Sequence, residues 1–68
     1  MAEVKIGDMV ETCVFVLGER IPMAHGRVVA IHDGYADVDV MSHHGGRPWI
    51  RQEMTHNLRI VERTPNNG

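Results

Sequence analysis

Residues 25–41 read His-Gly-Arg-Val-Val-Ala-Ile-His-Asp-Gly-Tyr-Ala-Asp-Val-Asp-Val-Met, and this stretch decides the fold. Two β-prone runs flank Asp33-Gly34, a pair that favours a type I′ hairpin turn because both central residues of that turn need a positive φ. In the second run Ala36, Val38 and Val40 alternate with other side chains, as in a strand with one buried and one solvated face. The stretch therefore predicts a β-hairpin.

Further β-prone runs stand on both sides of this hairpin. The pattern predicts strands at residues 9–17, 26–32, 35–41, 49–54 and 58–62. We expect an eight-residue loop at 18–25, because Pro22 cannot donate a hydrogen bond to a β-ladder. Residues 42–48 predict a turn rich in glycine and proline, and residues 55–57 a single helical turn before the last strand. The chain is therefore expected to be all-β, a small five-stranded antiparallel barrel.

The same alternation predicts which side chains point inward. The expected inward set is Val38, Val40, Ile50, Leu58 and Ile60. Asp37 and Asp39 share the opposite face of their strand, where we expect them to meet water. Their expected partners across the sheet are Arg27 and Arg51.

The first strand carries apolar residues on both faces, which one small sheet cannot bury. Its two faces hold Val10, Thr12, Val14 and Val16 on one side and Met9, Glu11, Cys13, Phe15 and Leu17 on the other. The second strand also lacks a polar face, since residues 28–31 are all apolar. Either the loop folds back over this surface through Ile21 and Met23, or another subunit covers it. We expect self-association.

Four short apolar motifs are spread along the chain. They are Gly7-Asp8-x-Val10, Gly26-x-Val28-Val29-x-Ile31, Ala36-x-Val38-x-Val40 and Leu58-Arg59-Ile60-Val61. Together they resemble the pattern of KOW-type and related SH3-like barrels, and the resemblance implies that fold over nearly the whole chain. It does not imply one function, because such barrels serve in ribosomal proteins, transcription factors, enzyme accessory subunits and peptide binders.

A second set of motifs is narrower. It consists of Gly7-Asp8-Met9-Val10, Gly26-Arg27-Val28-Val29, Gly34-Tyr35-Ala36 and Leu58-Arg59-Ile60. These are similar to motifs of the plasmid-borne type II dihydrofolate reductases, which are chains of similar length. That family lines a central pore with Val-Gln-Ile-Tyr, whereas residues 49–53 here read Trp-Ile-Arg-Gln-Glu. No catalytic residue therefore carries over, and a small oligomeric reductase is the least favoured of three functions.

Length and composition limit the class of protein. Sixty-eight residues make one domain, expected over 1–63 with a disordered tail at 64–68, and so small a domain buries only about 60% of its unfolded surface. Cys13 is the only cysteine, which excludes a disulfide within one chain and suits a reducing cytosol. No leader is evident and the longest apolar run has five residues, so we expect a cytoplasmic protein without a membrane segment.

Five histidines raise the question of a metal site. His43 and His44 are adjacent, no His-x-His or His-x-x-x-His spacing occurs, and there is no second cysteine. We therefore expect neither a metal nor another cofactor. Cys13 has no basic neighbour in sequence to lower its pKa, so we expect a packed side chain rather than a nucleophile, and no catalytic residue is predicted.

Six side chains are candidates for contacting a partner, since Trp, Tyr, Met and Arg are enriched at interface centres. They are Phe15, Met23, Tyr35, Arg47, Trp49 and Arg51. We predict a non-enzymatic binding module that acts through protein–protein interaction, self-association included. The alternative is nucleic acid, stacked on Trp49 with arginines of residues 47–63 on its phosphates, although the chain is net acidic, at −2. A structural role for Trp49, covering one mouth of the barrel, is also open.

Overall fold

Residues 3–62, the part of the chain that the computed structural model describes, form one antiparallel sheet of five strands. The strands are β1 (Met9–Val16), β2 (Glu19–Ile31), β3 (Tyr35–Asp39), β4 (Ile50–Met54) and β5 (Arg59–Glu62), in the spatial order β4-β3-β2-β1-β5. Single 3-10 helical turns, Ser42–His44 and Thr55–Asn57, precede β4 and β5. The expected all-β class and the helical turn before the last strand are confirmed. The tail predicted at 64–68 lies outside the described residues.

The hairpin predicted at Asp33-Gly34 joins β2 to β3. The backbone N–H of His32 donates to the carbonyl oxygen of Tyr35 at 2.8 Å, which closes the hairpin. Gly34 has a φ of 85°. Among the described residues other than glycine, only Leu17 has a positive φ, so the φ of Asp33 is not positive. The hairpin is therefore confirmed, while the predicted type I′ turn, which needs two positive φ angles, is wrong.

Residues 18–25, which were predicted to be a loop, belong to the turn and the first part of β2 in a second hairpin. The chain reverses at Leu17-Gly18, where φ is 51° and 80°, and β2 then pairs with β1 along its first half. Pro22 lies opposite Cys13, beside a register shift in the ladder. A bulge and an unpaired outer edge are the places where a strand accepts proline, so the loop prediction was wrong.

The core is one cluster of buried apolar side chains from β1, β2 and β3. It contains Val10, Val28, Ala36 and Val38, with Val4, Val40, Leu58 and Ile60 packed against it. The predicted inward positions in β3 and β5 are therefore confirmed. Gly26 approaches this core so closely that a Cβ atom there would stand 2.6 Å from Cγ1 of Val38 and 2.7 Å from the carbonyl oxygen of Asp39.

The polarity of β4 is the reverse of the predicted one. Ile50 lies opposite Asp39 and Arg51 opposite Val38, and directly opposed residues point to the same face of a sheet. Arg51 therefore shares the core face with Val38, whereas Ile50 lies on the outer face and is 46% exposed. The prediction that Ile50 points inward was wrong. Alternation separates the side chains of a strand into two faces, but only the pairing with β3 shows which of these faces packs on the core.

Asp39 is buried instead of facing water as predicted. Its Oδ1 accepts the backbone N–H groups of Met41 at 3.1 Å, Ser42 at 3.0 Å and Trp49 at 3.3 Å. The Ser42 hydroxyl, followed by these N–H groups, lowers the pKa of Asp39 from 3.8 to about 2. The carboxylate therefore fixes the path of the chain from β3 to the start of β4.

Candidate functional site

The outer part of the β1–β2 hairpin is a two-stranded ribbon, residues 14–23. β5 pairs with β1 only between Met9 and Glu11, and β3 pairs with β2 only from Arg27 onward. Within residues 3–62 the ribbon therefore has no third strand on either side. Its exposed apolar side chains are Val14, Phe15, Val16, Leu17, Ile21 and Met23. The alternative to self-association was a loop that folds back over β1 through Ile21 and Met23. In the described residues both belong to β2, so they do not form such a loop.

Leu17, at the tip of the ribbon, contributes little to the fold of its own chain. Its side chain is fully exposed, at 103%, and its φ of 51° lies in the left-handed region. That region costs a residue other than glycine about 1–2 kcal/mol. A large apolar side chain in this position is a candidate contact residue that the sequence analysis missed, because Leu17-Gly18 was not recognised as a two-residue turn.

A buried carboxylate fixes the base of the ribbon. Oε1 of Glu11 accepts a hydrogen bond from Nη1 of Arg20 at 2.7 Å, and Oε2 accepts one from Nη2 of Arg59 at 3.1 Å. Nε2 of His25 lies 3.4 Å from the same Oε2. Arg59 and then Arg20 lower the pKa of Glu11 from 4.5 to about 2. The cluster joins β1, β2 and β5, and it holds two of the chain's arginines on a carboxylate.

A groove of about 660 Å³ lies beside the ribbon. Its apolar lining residues are Met9, Pro22, Met23, Ala24, Val40 and Met41. Methionine side chains are unbranched and adapt to different partners, so this lining extends the apolar surface of the ribbon without fixing one ligand shape. His25, His43 and His44 also line the groove, and the rings of the last two have centroids 3.9 Å apart.

A second exposed apolar surface lies on the outer side of β3 and β4. It consists of Tyr35, Ile50 and Met54, with Tyr35 directly opposite Met54. Trp49, directly before β4, is 65% exposed. On the other face of β4, Nε of Arg51 lies 3.1 Å from Oε1 of Glu53.

Three of the six predicted contact residues lie on the ribbon or on the outer face of β3 and β4, and Arg47, Trp49 and Arg51 lie elsewhere. Phe15 and Met23 lie on the ribbon. Tyr35 is the first residue of β3, and Arg51 lies in β4. Arg47 and Trp49 are exposed in the segment before β4. The sequence analysis missed Ile50 and Met54 as exposed residues. Only the register with β3 shows that they lie outside.

An imidazole and a carboxylate are paired at the β2–β3 hairpin. Nε2 of His32 lies 3.1 Å from Oδ2 of Asp37, and the imidazole ring stacks on Tyr35 with centroids 4.5 Å apart. Oδ1 of Asp37 is buried and has no hydrogen-bond partner in the described part of the chain. The partner of Asp37 is therefore His32 and not the predicted arginine. Such a pair can transfer protons, but by itself it defines no reaction.

Other kinds of site find no support in the described residues. No group of three or more His, Cys, Asp or Glu side chains in residues 3–62 is placed to hold a metal ion. Cys13 is buried, and its Sγ donates to the carbonyl oxygen of Asn57 at 3.5 Å, as expected of a packed thiol. No helix in the same part of the chain is long and apolar enough to cross a membrane. Comparisons with protein-family models, curated proteins and solved structures found no match to this chain.

Proposed function

We propose that this protein is a non-enzymatic binding module that acts through protein–protein contacts, with the ribbon as its main docking surface. The observation that carries the proposal is the exposure of large apolar side chains on the ribbon. Within residues 3–62 the two strands of the ribbon pair only with each other. A two-stranded hairpin alone is marginally stable in water. Burying one large apolar side chain contributes about 1.5–3 kcal/mol, so a partner that covers the ribbon stabilises it.

The chemistry of the ribbon points to an apolar protein surface as the partner. Phe15, Leu17 and Met23 project from both arms and from the tip, so the partner must meet more than one face. Arg20 is bound to Glu11 and is less available for an ion pair with a partner. Apolar burial is therefore the main source of affinity, and a second copy of the chain belongs to this class of partner.

The architecture supports a finer assignment, which is part of the proposal. The strand order β4-β3-β2-β1-β5, the long first hairpin and the 3-10 turn before β5 support an SH3-like barrel of KOW type. A reductase of the type II dihydrofolate reductase kind has no comparable support, since residues 49–53 lack the pore motif of that family. The proposed compartment is the cytosol, on the ground that Cys13 is a buried lone thiol.

Nucleic acid is the alternative partner, and one observation favours it. Arg47 and Trp49 are both exposed and close in sequence, an arrangement that could stack a base beside a phosphate contact. Against this, Arg51 is bound to Glu53 and Arg59 to a buried carboxylate. Titration with labelled single and double strands is expected to show weak binding that moderate salt abolishes. Tight binding at moderate salt would replace protein by nucleic acid as the proposed partner.

The ribbon is tested by removing its apolar groups without adding charge. The variant combines Phe15→Ser with Leu17→Ser, since a carboxylate at position 15 would compete for Arg20, which lies directly opposite. The matched control is Ile6→Ser, which removes an apolar side chain that is 66% exposed outside the ribbon. Circular dichroism and thermal unfolding confirm that each variant folds.

The readout is a partner identified by photo-crosslinking from position 16 in extracts of the source cells, then purified and titrated against each variant. We expect the double serine variant to weaken binding at least about tenfold, the loss expected when burial of two such side chains is removed. The Ile6→Ser control should bind like the unmodified chain. Equal affinity of all three proteins would refute the ribbon as the docking surface.

A further inference from the structure

The sequence of β4 has an internal two-fold pattern. It reads Ile50-Arg51-Gln52-Glu53-Met54, with apolar residues at both ends, opposite charges inside them and an amide in the centre. β4 is also an edge strand, because it pairs with β3 on one side and no strand of residues 3–62 lies on its other side. An unpaired edge offers backbone N–H and C=O groups to another strand.

The register shows which backbone groups are available. The N–H of Val40 donates to the carbonyl oxygen of Trp49 at 3.0 Å, and the N–H of Thr55 donates to that of Gly34 at 3.1 Å. Hydrogen-bonded pairs alternate along an antiparallel ladder, so the odd-numbered residues of β4 bond to β3. The N–H and C=O groups of residues 50, 52 and 54 therefore point toward the open edge.

We propose that β4 binds β4 of a second copy of this chain, antiparallel and with the two-fold axis at Gln52. In this register Gln52 faces Gln52 of the partner subunit, and Ile50 faces Met54 of the partner subunit. These are the residues whose backbone groups point to the open edge, so each opposed pair exchanges two hydrogen bonds. The two sheets become one continuous sheet, with the isologous symmetry that is common in homodimers.

The charges select this register over its neighbours. Arg51 faces Glu53 of the partner subunit, and Glu53 faces Arg51 of the partner subunit on the other side of the two-fold axis. Both are non-hydrogen-bonded pairs, in which opposed side chains approach most closely. A shift by two residues in either direction, or a parallel pairing in register, would place Arg51 opposite Arg51 or Glu53 opposite Glu53. The Arg51–Glu53 pair within each chain, at 3.1 Å, holds both groups on the face where the partner's charges arrive.

The outer face of the proposed junction has an apolar pair on each side of the central Gln52 pair. Ile50 is 46% exposed and Met54 is 55% exposed in the single chain, and Tyr35 lies beside Met54 on β3. In the dimer Ile50 meets Met54 of the partner subunit on both sides of the two Gln52 side chains. This accounts for the reversed polarity of β4, whose apolar residues lie away from the core of their own chain.

This inference rests on the proposed function, since it names a second copy as one protein partner, but it uses a surface separate from the ribbon. The experiment is sedimentation over a range of micromolar to millimolar concentrations. Arg51→Glu alone and Glu53→Arg alone put like charges opposite each other in a homodimer. Each is expected to weaken self-association by about tenfold or more relative to the unmodified chain.

Two combinations restore opposite charges at the junction. The double variant Arg51→Glu with Glu53→Arg should dimerise like the unmodified chain, and an equimolar mixture of the two single variants should form heterodimers. Thermal unfolding of each variant confirms that it folds, since both positions lie on an edge strand. Failure of both combinations to restore a dimer would overturn the β4 junction.

The remaining outcomes separate this inference from the proposed function. An unmodified chain that stays monomeric at every concentration would overturn the β4 junction. The proposal that the ribbon binds a different protein would remain. A dimer that the single charge variants leave unchanged, and that the Phe15→Ser and Leu17→Ser variant abolishes, would assign the second copy to the ribbon instead. Equal partner binding by the unmodified chain and by the Phe15→Ser and Leu17→Ser variant, together with an intact charge-dependent dimer, would refute only the proposed function.

Discussion

Gly26→Ala adds a methyl group where β2 lies close against Val38, Asp39 and Val40. A Cβ atom at this position would stand 2.6 Å from Cγ1 of Val38, 2.9 Å from Cγ1 of Val40 and 2.7 Å from the carbonyl oxygen of Asp39. The two valine methyl groups could rotate away at some cost. The carbonyl oxygen belongs to the backbone of β3 and can move only if the ladder shifts. One added methyl group therefore overpacks the core.

Overpacking of this kind lowers the free energy of unfolding by about 1–3 kcal/mol. For a domain of this size each kcal/mol corresponds to roughly 4–8 °C in the midpoint of thermal unfolding. The assay is thermal unfolding followed by circular dichroism, with urea unfolding as an independent measurement. The matched control is Gly46→Ala, whose new Cβ would meet its nearest neighbour, Cε of Met41, at 3.4 Å. If Gly26→Ala unfolds at the same temperature as the control, the close packing of β2 on β3 is wrong.

Three further predictions follow from the same structure. Val38→Ala should lower the free energy of unfolding by about 2 kcal/mol, measured by urea unfolding, because the side chain is fully buried; no change would contradict its place in the core. Leu17→Asn should raise the midpoint of thermal unfolding, because asparagine tolerates the left-handed conformation that leucine adopts there. A lower midpoint would show that Leu17 packs within its own chain. Glu11 has a lowered pKa, so its contribution to stability is complete above its ordinary pKa of 4.5 and is lost as the pH falls through about 2. Glu11→Gln should therefore reduce stability at neutral pH and flatten the decline between pH 5 and 2, with Asp39 supplying the slope that remains; an unchanged acid profile would contradict the Glu11 cluster.

Local sequence signals predicted most of the strands, because turn residues and alternation act over a few positions. The Asp33-Gly34 hairpin and the inward face of β3 follow directly from such signals. Residues 18–25 were misjudged because Pro22 removes one donor but does not prevent a strand at a bulge with an open edge. Asp39 was misjudged because its three N–H donors come from the turn beyond its own strand.

The candidate surfaces were only partly predictable for a related reason. Exposed Phe15 and Met23 were found by residue type, but the ribbon itself depends on where β3 and β5 stop pairing, which no local pattern records. The outward position of Ile50 depends on the register between β3 and β4. Registers are set by pairing between distant residues, so composition and spacing alone could not show which apolar groups remain exposed.

The most specific claim about this chain is that a second copy of it binds at the open edge of β4, a surface that its own core leaves exposed. The most direct measurement is disulfide crosslinking of Gln52→Cys in a Cys13→Ser background, read by non-reducing electrophoresis after mild oxidation. Opposed residues in a hydrogen-bonded pair have Cα atoms about 5.5 Å apart, within the range that a disulfide spans. We predict a covalent dimer for position 52 and none for Val61→Cys, on the opposite edge strand β5. A monomer at position 52, or equal crosslinking at both positions, would contradict the β4 junction.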